Sequence, residues 1–318
     1  MSALGQTRRF SPSFYMSGQG TKSEIQTDPL PQNGNACLDT RTYAFPSAMT
    51  LKIATWNINS VRLRIGLVER VLKELQPDVL CLQETKCPQG QFPSGPLNDL
   101  GYSHIAEFGQ KGYHGVAIVS RLPFTRQFSK SFCGKEDCRH VSISLGSAKP
   151  ITIHNLYVPS GGDEPDPEIN EKFAHKLMFI DELENWFSQD AVPTGSEGIV
   201  VGDLNIAPLE HDVWSHKDLL KVVSHTPIET AGLKRVMQAG KWLDMMRKHT
   251  PESEKLYTWW SYRAKDWALA NRGRRLDHIW ATPGLSLACT DVTIMRETRG
   301  WTQTSDHVPV MATFDLKI

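Results

Sequence analysis

From residue 51 onward the chain switches between two hydrophobic periods. LKIATW is apolar and β-branched, the texture of a strand. VRLRIGLVERVLKELQ then sets Val61, Ile65, Val68, Leu72 and Leu75 at steps of three and four with charges between them, which predicts an amphipathic helix stopped by Pro77. DVLCLQ is the next strand, so strand, helix and strand fall within about thirty residues, the size of a βαβ unit. YSHIAEF, GVAIVS, VSISL and ITIHNLYV read as further strands, followed by a long helix over roughly 168–187 and the buried strand GIVVGD. Helical spacing returns near 228–239, and LDHIWAT, DVTIMR and VPVMATFDL close the chain as strands. Some of these strands are joined by helices and others by short turns, which implies mixed sheets with helices outside, an α/β layered sandwich.

No linker rich in Pro, Gly and Ser interrupts 49–318, which is read as one domain; Gly161, Gly162, Pro165 and Pro167 mark a long acidic loop within it. Residues 1–48 differ. Ser, Thr, Gln, Asn, Gly and Pro dominate and no apolar period lasts two helical turns, so this stretch is expected to be a disordered tail. No apolar run follows Arg8 and Arg9, which argues against an export signal, and Met49 directly before the first strand leaves room for an over-extended start.

Composition narrows the classes. Hydrophobic residues at 40% and charged residues at 22% exclude general disorder, and the absence of a long unbroken apolar run excludes a bilayer-spanning helix. Lys plus Arg and Asp plus Glu both number 35, so any nucleic-acid site must be a local patch. The six cysteines form no CxxC pair; Cys133, Cys138 and His140 are too loosely spaced for a structural zinc, so reduced thiols in a reducing, cytoplasmic compartment are expected.

Four apolar runs end directly in a carboxylate, an amide or a histidine: TWN at Asn57, LCLQE at Glu84, VVGDLN at Asp203 and Asn205, and the SDH that carries Asp306 and His307. Any one of them is ordinary turn chemistry, because Asn and Asp bond nearby backbone amides. Together they supply hard oxygen ligands, a hydrogen-bonding amide and one titratable imidazole, the set that a magnesium-dependent phosphoryl site requires. Phosphodiesters repel nucleophiles, so their hydrolysis needs a cation, a base for water and donors fixed on the phosphoryl oxygens.

In order, LKIATWNINSVRLR, LCLQETK, NLYVPSGG, VVGDLNIAP, RRLDHIWAT and SDHVPV resemble the exonuclease III family of abasic-site endonucleases over essentially all of 49–318. The resemblance implies a four-layer αββα sandwich of two mixed β-sheets flanked by helices, with the site at one edge of the sheets. It implies Glu84 as principal Mg²⁺ ligand, with Mn²⁺ as an alternative ion, and Asn57, Asp203, Asn205, Asp306 and His307 as further metal-site residues. It also implies Asp203 as the group that activates water or protonates the leaving group, and Asn205 as the amide that orients water and the phosphoryl oxygen. Tyr157 becomes a donor to phosphate, His307 the catalytic histidine and Asp277 the carboxylate that orients its ring. Whether Asp203 or His307 takes the first proton stays open at this stage.

Between Tyr257 and Trp280, tryptophans alternate with Arg263, Lys265, Arg272, Arg274 and Arg275, a locally basic and aromatic segment suited to phosphate contacts and stacking. One of Trp259 and Trp260 is expected to be core. By resemblance, Trp259 and Leu276 line a small pocket for a flipped abasic sugar, a nucleotide that is cheap to extrude. Three positions depart from the family: Arg274 stands where animal members carry a Trp, with Trp267 as candidate replacement, Asn59 replaces an acidic residue, and Ser160 replaces a longer amide. The expected activity is a metal-dependent DNA repair nuclease, an exodeoxyribonuclease III or AP endonuclease. It would cut 5′ to abasic sites and clear 3′ nucleotides or 3′ blocking groups from double-stranded DNA, as a monomer away from membranes. The alternatives are a phosphoinositide or sphingomyelin phosphodiesterase of the same superfamily, or a non-catalytic nucleic-acid-binding regulator on this fold.

Overall fold

Two six-stranded mixed sheets lie face to face in this computed structural model, which describes residues 48–147, 149–189 and 191–317. In chain order the strands are β1 Ala48–Asn57, β2 Val79–Gln83, β3 His104–Phe108, β4 Val116–Ser120, β5 Phe124–Ser129, β6 His140–Leu145, β7 Ile151–Tyr157, β8 Glu197–Asp203, β9 Leu243–Asp244, β10 Trp259–Trp260, β11 Gly273–Arg274, β12 Asp277–Ala281, β13 Cys289–Ile294 and β14 Val310–Lys317. One sheet runs β13-β14-β1-β2-β4-β3, the other β5-β6-β7-β8-β12-β9, and β10 pairs with β11 in a separate ribbon.

Strand alternation sorts the side chains into layers. Leu51 and Ile53 of β1 and Val79 and Cys81 of β2 meet Ile153 of β7, Ile199 and Val201 of β8 and Ile279 of β12 in one buried core between the sheets. The intervening residues face outward. Ala54, Trp56, Leu80 and Leu82 pack against Val68, Val71 and Leu72 of the helix Ile65–Leu75. Leu156, Val200 and Trp280 pack against the helices Glu171–Gln189 and Pro227–Ala239 through Phe179, Ile180, Leu183, Leu233 and Val236. The order is therefore helix, sheet, sheet, helix, the four-layer sandwich that the sequence resemblance implies. Each fully buried aliphatic side chain contributes about 1.5–3 kcal/mol, so these layers hold the fold.

The expected tail lies outside the described residues except for Ala48, with which β1 begins. The first helix starts at Ile65 and not at Val61. The N–H groups of Ser60 and Val61 are drawn to the carbonyls of Glu84 and Thr85, at 2.7 and 3.1 Å, so the segment leading out of β1 is a loop fastened to β2. Strand β5 was not expected; its sequence FTRQFS is polar and almost wholly exposed at the sheet edge, where no buried face imposes an apolar period. The cysteines at 81, 87, 133, 138 and 289 are free thiols. Among the described residues no helix is long and apolar enough to cross a membrane.

Candidate active site

The inner faces of the strands change character toward one edge. Along β1 the sequence of inward residues is Leu51, Ile53, Thr55, Asn57; along β7 it is Ile151, Ile153, Asn155, Tyr157; along β8 it is Ile199, Val201, Asp203. β1 and β2 are parallel, as are β7 and β8, and β12 runs antiparallel to β8, so the C-terminal ends of the first four and the start of the last share an edge. Register sets Tyr157 and Asp277 on either side of Asp203. Gly202 permits this: a Cβ there would lie 1.9 Å from the Leu156 carbonyl oxygen, and its φ of 138° is one that side chains disfavour.

Beneath the charged edge lies a buried polar layer. The Gln83 amide donates to Thr55 Oγ1 at 2.9 Å and to Asn155 Oδ1 at 2.7 Å, and Asn155 donates to the carbonyls of Leu82 and Ala117. The bonds to and from Asn155 cross from one sheet to the other and fix the spacing of the strand ends above them.

On this platform the predicted acids, amides and imidazole converge. Asn57 donates to Glu84 Oε1 at 3.1 Å and to Asp203 Oδ2 at 2.9 Å, and so separates the two carboxylates. Tyr157 donates its hydroxyl to Glu84 Oε1 at 2.7 Å, and Lys86 Nζ lies 2.8 Å from Glu84 Oε2. Asn205 donates to Val158 O and Asp203 Oδ2, at 2.9 and 3.2 Å. His307 is held at Nδ1 by Asp277 Oδ2 at 2.8 Å, and its Nε2 stands 3.7 Å from Asp203 Oδ2. Asp306 accepts from Trp259 Nε1 at 2.9 Å. Ser305 Oγ on the Asn57 carbonyl and the Trp56 indole on the His307 carbonyl clamp the 305–307 loop to β1.

Electrostatics assigns protonation states. Burial works against a charged His307, but the Asp277 and Asp203 carboxylates override it and raise the imidazole well above its ordinary value, to about 10. Burial drives Asp203 up, with Asp277 and Glu84 adding to it against His307 and Asn57, to about 7. Burial also opposes charge on Glu84, yet Lys86 and the donations from Asn57 and Tyr157 hold it below the usual carboxylate range. The Tyr157 phenol is pushed far above 10 by burial and by Glu84, so it remains a donor. Glu84 and Asn205 also adopt left-handed backbone, with φ of 50° and 53°. For a glutamate this costs of order 1 kcal/mol and is sustained by the surrounding bonds.

Asn57 turns its amide nitrogen to the carboxylates, and its oxygen accepts from the Asn59 N–H at 3.1 Å. Asp203, Asp277 and His307 place ligand atoms within 4.8 Å of one another, and Asp277 and His307 are bonded to each other at 2.8 Å. Glu84 and Asp306, which line the same cleft as Asp203 and His307, offer hard oxygens suited to a divalent cation.

The cleft has a volume of about 760 Å³ and an aromatic, cationic rim that includes Trp214, Trp259, Tyr262, Arg263, Arg272 and Arg274. Trp267 and Leu276 line it as well, and Trp260, 2% exposed, is the buried member of the tryptophan pair at its edge. Arg275 does not belong to the nucleic-acid face that the sequence assigned to it. It is fully buried, bonded twice to Asp212 at 2.7 and 2.9 Å and once to Asp244 at 2.5 Å. Adjacent residues near a strand point to opposite sides, so Arg274 faces the cleft and Arg275 the interior. The sequence reading missed Lys86, Trp214 and Tyr262. Lys86 stands in LCLQETK two residues after Glu84 and could have been found there; Trp214 and Tyr262 carried no signal beyond being aromatic.

This fold and this edge site define the endonuclease/exonuclease/phosphatase family, and the chain matches that family over residues 54–307 and belongs to it. The exodeoxyribonuclease III of Haemophilus influenzae is 30% identical over 274 residues, covering 83% of this chain and all of the relative. An AP endonuclease from Archaeoglobus fulgidus superposes with a TM-score of 0.76 at 34% identity, covering 84% of this chain and 100% of that one. A 3′ phosphatase from Neisseria, bound to a product DNA hairpin, superposes equally well at 29% identity over 84% of this chain and 100% of its own.

Proposed function

We propose that this chain is a divalent-metal-dependent DNA repair nuclease that hydrolyses the phosphodiester 5′ to an abasic site and removes 3′ nucleotides or 3′ blocking groups from duplex DNA. The observation that carries the reading is the Asp203–His307–Asp277 row beside Glu84 on the floor of a cleft with an aromatic, cationic rim. The nuclease and phosphatase relatives support the same chemistry. Glu84 and Asp306 are the residues to hold the ion, taken here as Mg²⁺ with Mn²⁺ as substitute, and the ion supplies neutralisation of charge on the phosphoryl oxygens.

Ionised Asp203 takes a proton from water, and the resulting hydroxide oxygen bonds to phosphorus as the bond from phosphorus to the upstream O3′ breaks. The electron pair stays on O3′, which gains a proton from solvent and becomes a 3′-hydroxyl. Protonated His307, oriented by Asp277, donates from Nε2 to a phosphoryl oxygen, and the Tyr157 hydroxyl and Asn205 amide fix the reacting groups. Arg263, Arg272 and Arg274 meet phosphates, while Trp259, Trp267 and Leu276 bound the space for the extruded residue. The free thiols agree with a reducing, cytoplasmic setting.

Paired variants test the reading. With Glu84→Ala and Asp203→Asn, cleavage of an abasic duplex should fall by at least about 10²-fold while fluorescence anisotropy shows duplex affinity within a few-fold of the parent. Cleavage by both variants at the parental rate contradicts it.

A further inference from the structure

Arg274 is a largely enclosed cation that lines the cleft. Lys176 pairs with Glu229 at 2.5 Å, and Arg275 pairs with Asp212 and Asp244. Arg274 is largely enclosed, yet among the described residues no carboxylate lies within 4.0 Å of it, since Glu229, the nearby acid, is already committed to Lys176 and to the Ser224 and Thr226 backbone. Its Nη1 donates to Val223 O at 3.0 Å and Ser224 Oγ at 2.8 Å, its Nε is buried without a partner, and the guanidinium carbon lies 5.3 Å from the centre of the Trp259 ring. The arm is therefore fixed, not swinging, in the cleft wall beside Trp259 and Leu276. Burying a charge without a counter-charge is costly, and a fixed one is an unfilled demand for an anion.

Resting on the function proposed above, we propose that Arg274 determines specificity by receiving an anionic group carried on the scissile phosphate away from the departing O3′, so that 3′ ends capped by an acidic fragment are preferred to neutral ones. The chemical placement is direct. In hydrolysis of a 3′-phosphoglycolate, water adds its oxygen to phosphorus, the bond from phosphorus to O3′ breaks, O3′ leaves protonated, and the carboxylate departs with the phosphate three bonds from it. Arg274 and Trp259 line the same cleft as Asp203 and His307, so an anion carried on a phosphate bound there shares its space with the guanidinium. The phosphate on the 3′ side of an internal abasic sugar carries the same chemistry from a second source.

The test uses the full chain and nicked duplexes whose 3′ ends carry either phosphoglycolate or its neutral analogue, 2-hydroxyethyl phosphate. Two further duplexes carry an abasic analogue internally, with its 3′ phosphate, or at the 3′ terminus without one. The parent should release phosphoglycolate with a kcat/KM roughly ten- to hundredfold above the hydroxyethyl analogue, the range of one charge-assisted hydrogen bond. Arg274→Leu should bring the two within about twofold. Arg274→Gln, which keeps a donor for Val223 and Ser224 without the charge, should do the same, and Arg274→Lys should retain part of the preference. If the internal phosphate is also received, both neutral variants lose rate on the internal abasic site and not on the terminal one; otherwise the two abasic substrates respond alike and the anionic end alone is read. An unchanged glycolate preference in Arg274→Leu and Arg274→Gln overturns the role of Arg274 and leaves the nuclease assignment standing. A parent that cuts none of the four duplexes overturns both.

Discussion

At the scale of single residues, the site turns on one row of three side chains. Because Asp277 and Asp203 raise His307 to about 10 and burial raises Asp203 to about 7, there is a pH window in which the carboxylate is bare and the imidazole is charged. Below it Asp203 is protonated and no base remains; above it His307 has lost the proton that it donates. Cleavage should therefore rise with slope one through pH about 7, level off and fall near 10, with a bound cation moving the acid limb lower. A pH–kcat/KM profile decides the question that the sequence left open, since a His307 base would give activity that only climbs toward pH 10. Asp277→Asn should cost about 10²-fold or more in kcat and bring the alkaline limb down, because its carboxylate is the main group that raises His307. A variant with the parental rate and profile contradicts the orienting role. The residue types of this row were legible in the strings GDLN, RRLD and SDH. Their protonation was not, because it depends on burial and on contacts across 30 residues and more.

At the scale of elements, the strands that end in chemistry are the ones whose inner faces grade from aliphatic to polar. Short apolar, β-branched runs made β1, β2, β4, β7, β8 and β12 legible. Edge strand β5 was not, since exposure on nearly every residue leaves no period to read. The start of the first helix was misplaced because bonds to Glu84 and Thr85 outweigh the local spacing. Lys176 shows how helices serve the site: from the helix Glu171–Gln189 its ammonium reaches Glu229 at 2.5 Å, Asn205 O at 2.8 Å and Ser160 O at 3.2 Å, tying together the loops after β7 and β8. Lys176→Met leaves Glu229 uncompensated and should cost about 3–5 kcal/mol in urea unfolding, much of it recovered when Glu229→Leu is added. Equal stability of the single variant and the parent contradicts a buried, paired lysine.

At the scale of the whole molecule, four layers hold two sheet edges in line, and only that alignment turns separate turn residues into a site. Six ordered motifs made the layered class readable, whereas no motif distinguished Arg274 from Arg275. Burial alone separates them: one arm is spent on Asp212 and Asp244 inside the fold, the other is offered to the cleft. The neutral overall charge likewise hides a cationic rim that the fold collects from Arg263, Arg272 and Arg274.

The most direct test is incision of a duplex holding one abasic analogue, followed on a sequencing gel with Mg²⁺ and with EDTA. A single cut on the 5′ side of the analogue, leaving a 3′-hydroxyl and abolished by EDTA, is the predicted result. An intact duplex in Mg²⁺, or a cut that persists unchanged in EDTA, contradicts a metal-dependent abasic-site nuclease built on Glu84, Asp203 and His307.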